Sequence, residues 1–165
     1  MIALIQEGKV RWGGVSNFDV LFLERCEAVR HVDSMQPPLS LIRPQAADDI
    51  IPWCREHGTG VIVYSPMQAG LLSGAFNRAR VDTLAADDWR RDGDQFQEPN
   101  LSNNLALVER LRPIADELGT SLAALAIAWT VSVPGVTGAI VGARSSGGQS
   151  HAARRQGGVR NDGGC

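Results

Sequence analysis

Two kinds of apolar segment alternate along the chain. Short β-favouring runs predict strands at residues 10–16, 32–36, 60–64 and 138–141. Between them, apolar residues spaced three and four positions apart predict helices at residues 18–31, 46–57, 101–118 and 122–131. Strands that are separated by helices favour parallel βαβ units, and the pattern allows either a doubly wound sheet or a (β/α) barrel. The run at 60–64, GVIVY, is apolar throughout, which predicts a strand buried on both faces.

Two segments lack this periodicity. Residues 65–100 combine glycines, prolines and acidic pairs, and a loop of this length in a compact domain is usually functional or mobile. Residues 146–165 are rich in Gly, Arg, Ser and Gln, a composition typical of a disordered tail. We therefore expect a folded unit at residues 1–145 and a disordered tail at 146–165. That tail is either a genuine divergent end or the product of translation out of frame.

Composition and charge narrow the function classes. The 165 residues carry a net charge of −2, which gives no electrostatic case for nucleic-acid binding. No apolar run reaches the roughly 20 residues of a membrane span, and the first residues lack the basic region of a secretory signal. Three separated cysteines in such a chain favour a reduced, cytoplasmic protein. The chain has one lysine, Lys9, and one tyrosine, Tyr64, so any mechanism that needs either residue has one candidate.

Signals for metal or nucleophile chemistry are weak. Cys26 with His31, and Cys54 with His57, have superficially zinc-like spacings, but these cysteines lie on apolar helix faces and the histidines at helix ends. Neither a G-x-S-x-G nor a G-x-G-x-x-G motif is present. The acidic residues of the long loop are expected to form a solvated face, namely Asp87, Asp88, Asp92 and Asp94. We predict no metal site and no nucleophilic triad.

Polar side chains directly follow four predicted strands. They are Ser16-Asn17, Gln36, Tyr64-Ser65 and Arg144-Ser145. Because ligands collect at the carboxyl ends of parallel strands, this pattern favours a binding site at that edge. The alternative is that the Ser, Asn and Gln side chains cap the helices that follow.

Four segments resemble motifs of the aldo-keto reductases. Residues 8–18, GKVRWGGVSNF, resemble the family's GKVR-x-(I)GVSNF segment, and residues 64–74, YSPMQAGLLSG, resemble its YSPL-x-x-GLL-[ST]-G segment. The sequence AIAW at 126–129 is similar to ALAW, and AIVGARS at 139–145 is similar to the family's IPGARS or IVGARS segment. Their order and spacing also agree, and the resemblance covers about residues 3–145.

The resemblance implies a (β/α)8 barrel that binds NADP(H) and reduces a small-molecule carbonyl substrate. By match, Ser16, Asn17 and Gln36 would contact the nicotinamide carboxamide, while the Tyr64 ring would stack on the nicotinamide. The main chain of residues 65–72 would wrap the pyrophosphate, and Arg144 with Ser145 would hold the adenosine 2′-phosphate. The expected cofactor-binding residues are Ser16, Asn17, Gln36, Tyr64, Ser65, Pro66, Met67, Gly70, Leu72, Gly142, Ala143, Arg144 and Ser145.

The chain also departs from the family pattern. The GKVR segment belongs to the family's fifth strand, so the resemblance implies the C-terminal half of the barrel, about strands 5–8. The family's catalytic Asp, Tyr, Lys and His lie in earlier strands, and Lys9 and Tyr64 match other positions, so no catalytic residue is expected. After Ser145 the family's Pro-Glu-Gln helix start is replaced by a glycine-rich sequence.

We therefore expect a fragment of an NADP-dependent aldo-keto reductase that is inactive by itself. The alternatives are a module that binds NADP(H) or a partner without catalysis, and a non-functional gene fragment. Four strands taken from a closed barrel would have two open edges, which predicts self-association.

Overall fold

Four short parallel strands form one sheet whose order follows the chain. In the computed structural model, which describes residues 1–142, the strands are β1 (Gly14–Ser16), β2 (Ser34–Gln36), β3 (Gly60–Val63) and β4 (Val136–Ala139). Val15 pairs with Met35, and Met35 pairs with Val61. The strand order does not reverse among these four strands. Such an order is typical of a barrel wall, whereas a doubly wound sheet reverses its strand order at one point.

Six helices are present in the described residues, and four of them match the predicted helices in place, with differences at their ends. They are α1 (Ile2–Gln6), α2 (Val20–Glu27), α3 (Ile50–His57), α4 (Arg78–Asp82), α5 (Asn100–Glu117) and α6 (Leu122–Ser132). The predicted helix at 18–31 is shorter because the Asp19 side chain accepts a hydrogen bond from Phe22 N and begins α2 there. Helix α3 ends at Gly58, which has a φ of 72°, the left-handed conformation that glycine adopts without strain.

One helix was missed in the sequence analysis, and the long segment after β3 was misjudged. Helix α1 was not expected, because its five residues are too few for a periodic pattern to appear. The segment at 65–100 is not a plain loop. It contains α4 and three 3₁₀ turns, at Gln68–Ser73, Trp89–Arg91 and Asp94–Phe96. Turns of this length are shorter than the window over which apolar spacing can be recognised.

One face of the sheet is covered by helices and the other is open in the part of the chain that the structure describes. Val61 and Val63 are fully buried, whereas Ile62 between them is 40% exposed. The prediction that the 60–64 strand is buried on both faces was therefore wrong. Val61 and Val63 pack with the side chains of α2 and α3, including Leu23 and Ile51. The open face carries mostly small or polar residues at the strand positions, namely Gly14, Ser16, Ser34, Gln36, Gly60, Ile62 and Gly138.

The long connection after β3 packs on a core of its own. Leu71, Phe76, Val81, Phe96 and Leu101 form a buried cluster that joins its turns to the start of α5. A further cluster includes Leu72 and the facing sides of α5 and α6. These contacts fix the connection beside the carboxyl ends of β3 and β4.

No single helix within residues 1–142 is long and apolar enough to cross a membrane. Helices α5 and α6 meet the length and composition test only as a pair, which is bent by 90°.

A carboxylate holds β1 and β2 together where they begin. Asp33 Oδ2 accepts hydrogen bonds from Gly13 N and from Arg30 Nη1, each 2.7 Å long. These interactions, that with Gly13 foremost, hold the pKa of Asp33 below its ordinary value. A carboxyl group with a lowered pKa stabilises the fold above its unfolded-state pKa of about 4, and this stabilisation is lost as the pH falls through the folded-state pKa.

The close approach of β1 to β2 requires glycine at position 14. A Cβ on Gly14 would overlap Ser34 Oγ and lie 2.7 Å from the Ser34 carbonyl oxygen. We expect Gly14→Ala to lower the free energy of unfolding by about 1–3 kcal/mol, as overpacking does, measured by urea denaturation. Gly138→Ala is the matched control, since a Cβ there meets no atom within 4 Å. Equal effects of the two substitutions would contradict the close approach.

Candidate cofactor site at the carboxyl edge of the sheet

Three hydrogen bonds connect Ser16, Asn17, Tyr64 and the main chain of Gln36 across the carboxyl ends of β1, β2 and β3. Ser16 Oγ donates to the Gln36 carbonyl oxygen at 2.9 Å, and Asn17 Nδ2 donates to Ser16 Oγ at 3.1 Å. The Tyr64 hydroxyl donates to Asn17 Oδ1 at 2.8 Å. The structure thus brings together four of the residues that the sequence placed at strand ends.

The main chain at these strand ends is unusual. Asn17 has a φ of 60° and Ser65 a φ of 56°, so a left-handed residue follows both β1 and β3. Asparagine tolerates this conformation better than most residues, while serine does so less readily. Such conformations persist where surrounding contacts impose them, and they concentrate at functional sites. Helix capping does not explain Asn17, because the N-cap of α2 is Asp19.

The main chain after β3 continues with further left-handed residues. Gln68, Ala69 and Gly70 have φ values of 45°, 52° and 101°. Gln68 is fixed by Ser40, a buried residue whose Oγ donates to Gln68 Oε1 at 3.0 Å. Gly70 is also close to the Phe76 ring, since a Cβ there would lie 3.0 Å from it. Left-handed residues of this kind can point successive main-chain N–H groups into a concave surface, which suits anions.

A cavity of about 780 Å³ lies beside this segment. Its floor includes Tyr64 and Ser65, and the residues from Pro66 to Gly70 other than Gln68 line one side. Residues 140–142, after β4, line another part. The lining also includes Phe76, Arg80, Asp88, Trp89 and Arg90. A cavity of this size matches the usual volume of small-molecule sites.

A second cavity of about 630 Å³ adjoins the first and also includes Tyr64, Ser65, Ala69 and Trp89 in its lining. Trp89 is exposed at this boundary, and its ring packs edge-on against Phe96, with centroids 6.3 Å apart. The two cavities therefore meet around Tyr64.

The wall formed by Phe76, Arg80, Asp88, Trp89 and Arg90 was missed by the sequence analysis. The expectation that all the acidic loop residues are solvated was wrong for Asp88, because its carboxylate is paired with the Arg90 guanidinium, whose Nε lies 2.8 Å from Oδ1. This pairing raises the pKa of Arg90 further above its already high value. The one sequence signal was the arrangement of arginines and aromatic residues within 76–91, which is not distinctive by itself.

The remaining sequence-predicted site residues fall into three groups. Ser65, Pro66, Met67, Gly70 and Gly142 line the larger cavity. The Leu72 side chain instead packs against α5 and α6, and its N–H donates to the Met67 carbonyl oxygen at 3.1 Å. Three further residues, Ala143, Arg144 and Ser145, lie outside the described residues.

The cysteines and histidines considered for a metal site have other neighbours. Cys54 is buried in the core, which raises its pKa to about 11. The His57 ring stacks on Trp53 with centroids 3.9 Å apart, and His31 Nδ1 lies 2.9 Å from Glu27 Oε1. Within residues 1–142, no three His, Cys, Asp or Glu side chains are grouped closely enough to hold a metal ion.

Comparison with known proteins decides the family. The sequence model of the aldo/keto reductase family matches residues 1–151, which is most of the chain. The chain belongs to this family. The resemblance seen in the four sequence motifs is thereby confirmed.

The fold is similar to that of a solved family member, a glycerol dehydrogenase from Gluconobacter oxydans. The two chains are 34% identical and superpose with a TM-score of 0.82. The match covers 91% of this chain and 45% of the dehydrogenase. This aldo/keto reductase chain therefore spans less than half the length of that relative.

The left-handed conformation of Asn17 gives a test of the hydrogen-bonded edge. Asn17→Ala and Asn17→Gly both remove the bond from Tyr64, but only alanine is strained at a φ of 60°. We expect Asn17→Ala to be less stable than Asn17→Gly by about 1 kcal/mol in urea denaturation. An alanine variant as stable as the glycine variant would mean that position 17 is not held in this conformation.

Proposed function

We propose that this chain is the NADP(H)-binding half of an aldo/keto reductase barrel, corresponding to its strands five to eight. By itself it would bind the cofactor and not reduce carbonyl compounds. The observation that carries this proposal is the hydrogen-bonded edge of Ser16, Asn17, Gln36 and Tyr64 beside the larger cavity. The match covers 45% of the glycerol dehydrogenase, which supports the half-barrel interpretation.

The donor set at this edge suits a nicotinamide. A carboxamide offers one acceptor oxygen and one NH₂ donor, and Ser16, Asn17 and Gln36 carry hydroxyl and amide groups that complement both. The Tyr64 ring offers an aromatic face for stacking, with its hydroxyl already oriented by Asn17. When bound, the nicotinamide would supply a hydride to the carbonyl carbon of a small-molecule substrate.

The phosphate groups would be held in the larger cavity, which adjoins the edge at Tyr64. The main chain of residues 65–72 would wrap the pyrophosphate, in line with the left-handed residues of that segment. The N–H groups of Gln68, Gly70 and Leu72 already donate to carbonyl oxygens of the segment, so N–H groups such as those of Ser65 and Met67 would bind it. Arg144 and Ser145 would hold the 2′-phosphate, since a guanidinium matches phosphate geometry with two parallel hydrogen bonds. This assignment makes NADP(H) the preferred cofactor over NAD(H).

The positions of the basic residues support binding without catalysis. A carbonyl reduction needs a proton donor near the hydride acceptor, and a tyrosine in that role needs a neighbour that lowers its pKa. Lys9 precedes β1 and pairs with Glu7 at 2.6 Å, while His31 precedes β2 and His57 precedes β3. In residues 1–142 all these side chains belong to the amino edge of the parallel sheet, opposite Tyr64.

A reducing, cytoplasmic location is part of the proposal. Cys26 and Cys54, the cysteines within the described residues, are both free. Free cysteines are usual in reducing compartments.

Titration with NADPH and NADH tests the proposed function. We expect the full chain to bind NADPH more tightly than NADH, and Arg144→Ala to remove that preference because it deletes the 2′-phosphate contact. Arg112→Ala is a control, since Arg112 pairs with Glu109 on α5. Reduction of nitrobenzaldehydes or diketones should not exceed that of a mock purification. Equal affinity of the unmodified chain for both dinucleotides, or clear turnover, would contradict the proposal.

Self-association is a further part of the proposal. Strands β1 and β4 each pair on one side only within the described sheet, and Ile62 is exposed on its open face. We expect sedimentation velocity to show association that grows with concentration and weakens in Ile62→Lys. Ile114→Lys, at a residue of α5 with similar exposure, should not weaken it. A monomer at every concentration would refute association through this face.

A further inference from the structure

Two guanidinium groups lie on one aromatic ring in the wall of the larger cavity. Arg80 Cζ and Arg90 Cζ are each 5.2 Å from the centroid of the Phe76 ring. Phe76 is itself fixed, because it is buried and packs edge-on against Phe96 with centroids 5.6 Å apart. Cations at this distance from an aromatic face are attracted to it, so Phe76 orients both arginines.

The two arginines differ in how their charge is balanced. Arg90 is paired with the Asp88 carboxylate through two hydrogen bonds, and its side chain is only 12% exposed. No ion pair of the described residues joins Arg80 to a carboxylate. The Asp88–Arg90 pair thus contributes little net charge to the cavity wall, whereas Arg80 contributes a full positive charge.

Local structure fixes Arg80 in its position. The Asn77 side chain caps α4 by accepting a hydrogen bond from Arg80 N at 2.9 Å. Val81, the next residue, is buried in the cluster beneath the connection. The main chain at Arg80 is therefore held by the Asn77 cap on one side and by buried Val81 on the other. Arg80 lines the larger cavity together with Ser65 and Gly70.

We propose that Arg80 binds the pyrophosphate of the dinucleotide in the cavity that it lines together with the main chain of residues 65–70. This inference rests on the proposed cofactor binding and names a residue that the family resemblance did not assign. A pyrophosphate carries two negative charges, and main-chain N–H groups contribute only partial positive charges. A guanidinium in the same cavity supplies the missing full charge and donates two hydrogen bonds in a fixed geometry.

The structure offers a matched control two residues away. Arg78 lies on the same helix, but its guanidinium is bonded to Glu98 and to Ser102, at 2.9 Å from Ser102 Oγ. Arg78 lines neither cavity. Arg80→Gln and Arg78→Gln remove the same charge from the same helix, so they separate a local contact from a general electrostatic effect.

The experiment is a fluorescence titration of the full chain and its variants with NADPH and NADH. We expect Arg80→Gln to weaken both dinucleotides by the same factor, about ten-fold or more, because a hydrogen bond to a charged group is lost in each complex. Arg78→Gln should stay within about twofold of the unmodified chain, as expected for an exposed charge. Arg80→Lys should recover part of the loss. Inorganic pyrophosphate should raise the melting temperature of the unmodified chain and of Arg78→Gln, but not that of Arg80→Gln.

Three results would overturn the assignment of Arg80. A loss confined to NADPH would place Arg80 at the 2′-phosphate. Unchanged affinity in Arg80→Gln would show that Arg80 makes no contact, and equal losses in both variants would show a non-local effect. Failure of the unmodified chain to bind either dinucleotide would refute the proposed function itself, and the assignment of Arg80 with it.

Discussion

The hydrogen bond from the Tyr64 hydroxyl to Asn17 Oδ1 spans the width of three strands. It forms only if β1, β2 and β3 are parallel and aligned, because Tyr64 follows β3 and Asn17 follows β1. It also requires Asn17 to leave β1 in the left-handed conformation. The alignment of the strands, the turn at position 17 and the orientation of the Tyr64 ring therefore depend on one another. Together they place the polar groups of the candidate site at the carboxyl ends of β1, β2 and β3.

The parallel sheet also separates two kinds of residue. Hydroxyl, amide and aromatic groups lie at the carboxyl edge. Lys9, His31 and His57 lie instead at the amino edge, in the segments that lead into β1, β2 and β3. The described residues therefore place groups suited to a nicotinamide at the carboxyl edge, while their lysine and histidines lie at the other edge. This separation is the basis for proposing cofactor binding without catalysis.

Much of this arrangement could be predicted from sequence, and the exceptions have physical causes. The strand ends were predictable because a change from apolar to polar residues, as at Ser16 and Tyr64, marks where a buried strand stops. Which face of β3 is buried was not predictable, since Val61, Ile62 and Val63 are all apolar. Arg80 was missed because its role depends on contact with the Phe76 ring and the cavity, which the spacing of residues does not reveal.

The proposed cofactor-binding surface consists of the carboxyl edge and the segment after β3. Hydrogen–deuterium exchange of the full chain, with and without saturating NADPH, tests this most directly, because exchange reports the protection of individual segments. We expect slower exchange at residues 16–17, around Gln36 and across residues 64–72, with α2 and the middle of α5 unchanged. Protection confined to α2 and α5, or the same exchange with and without NADPH, would contradict this proposal.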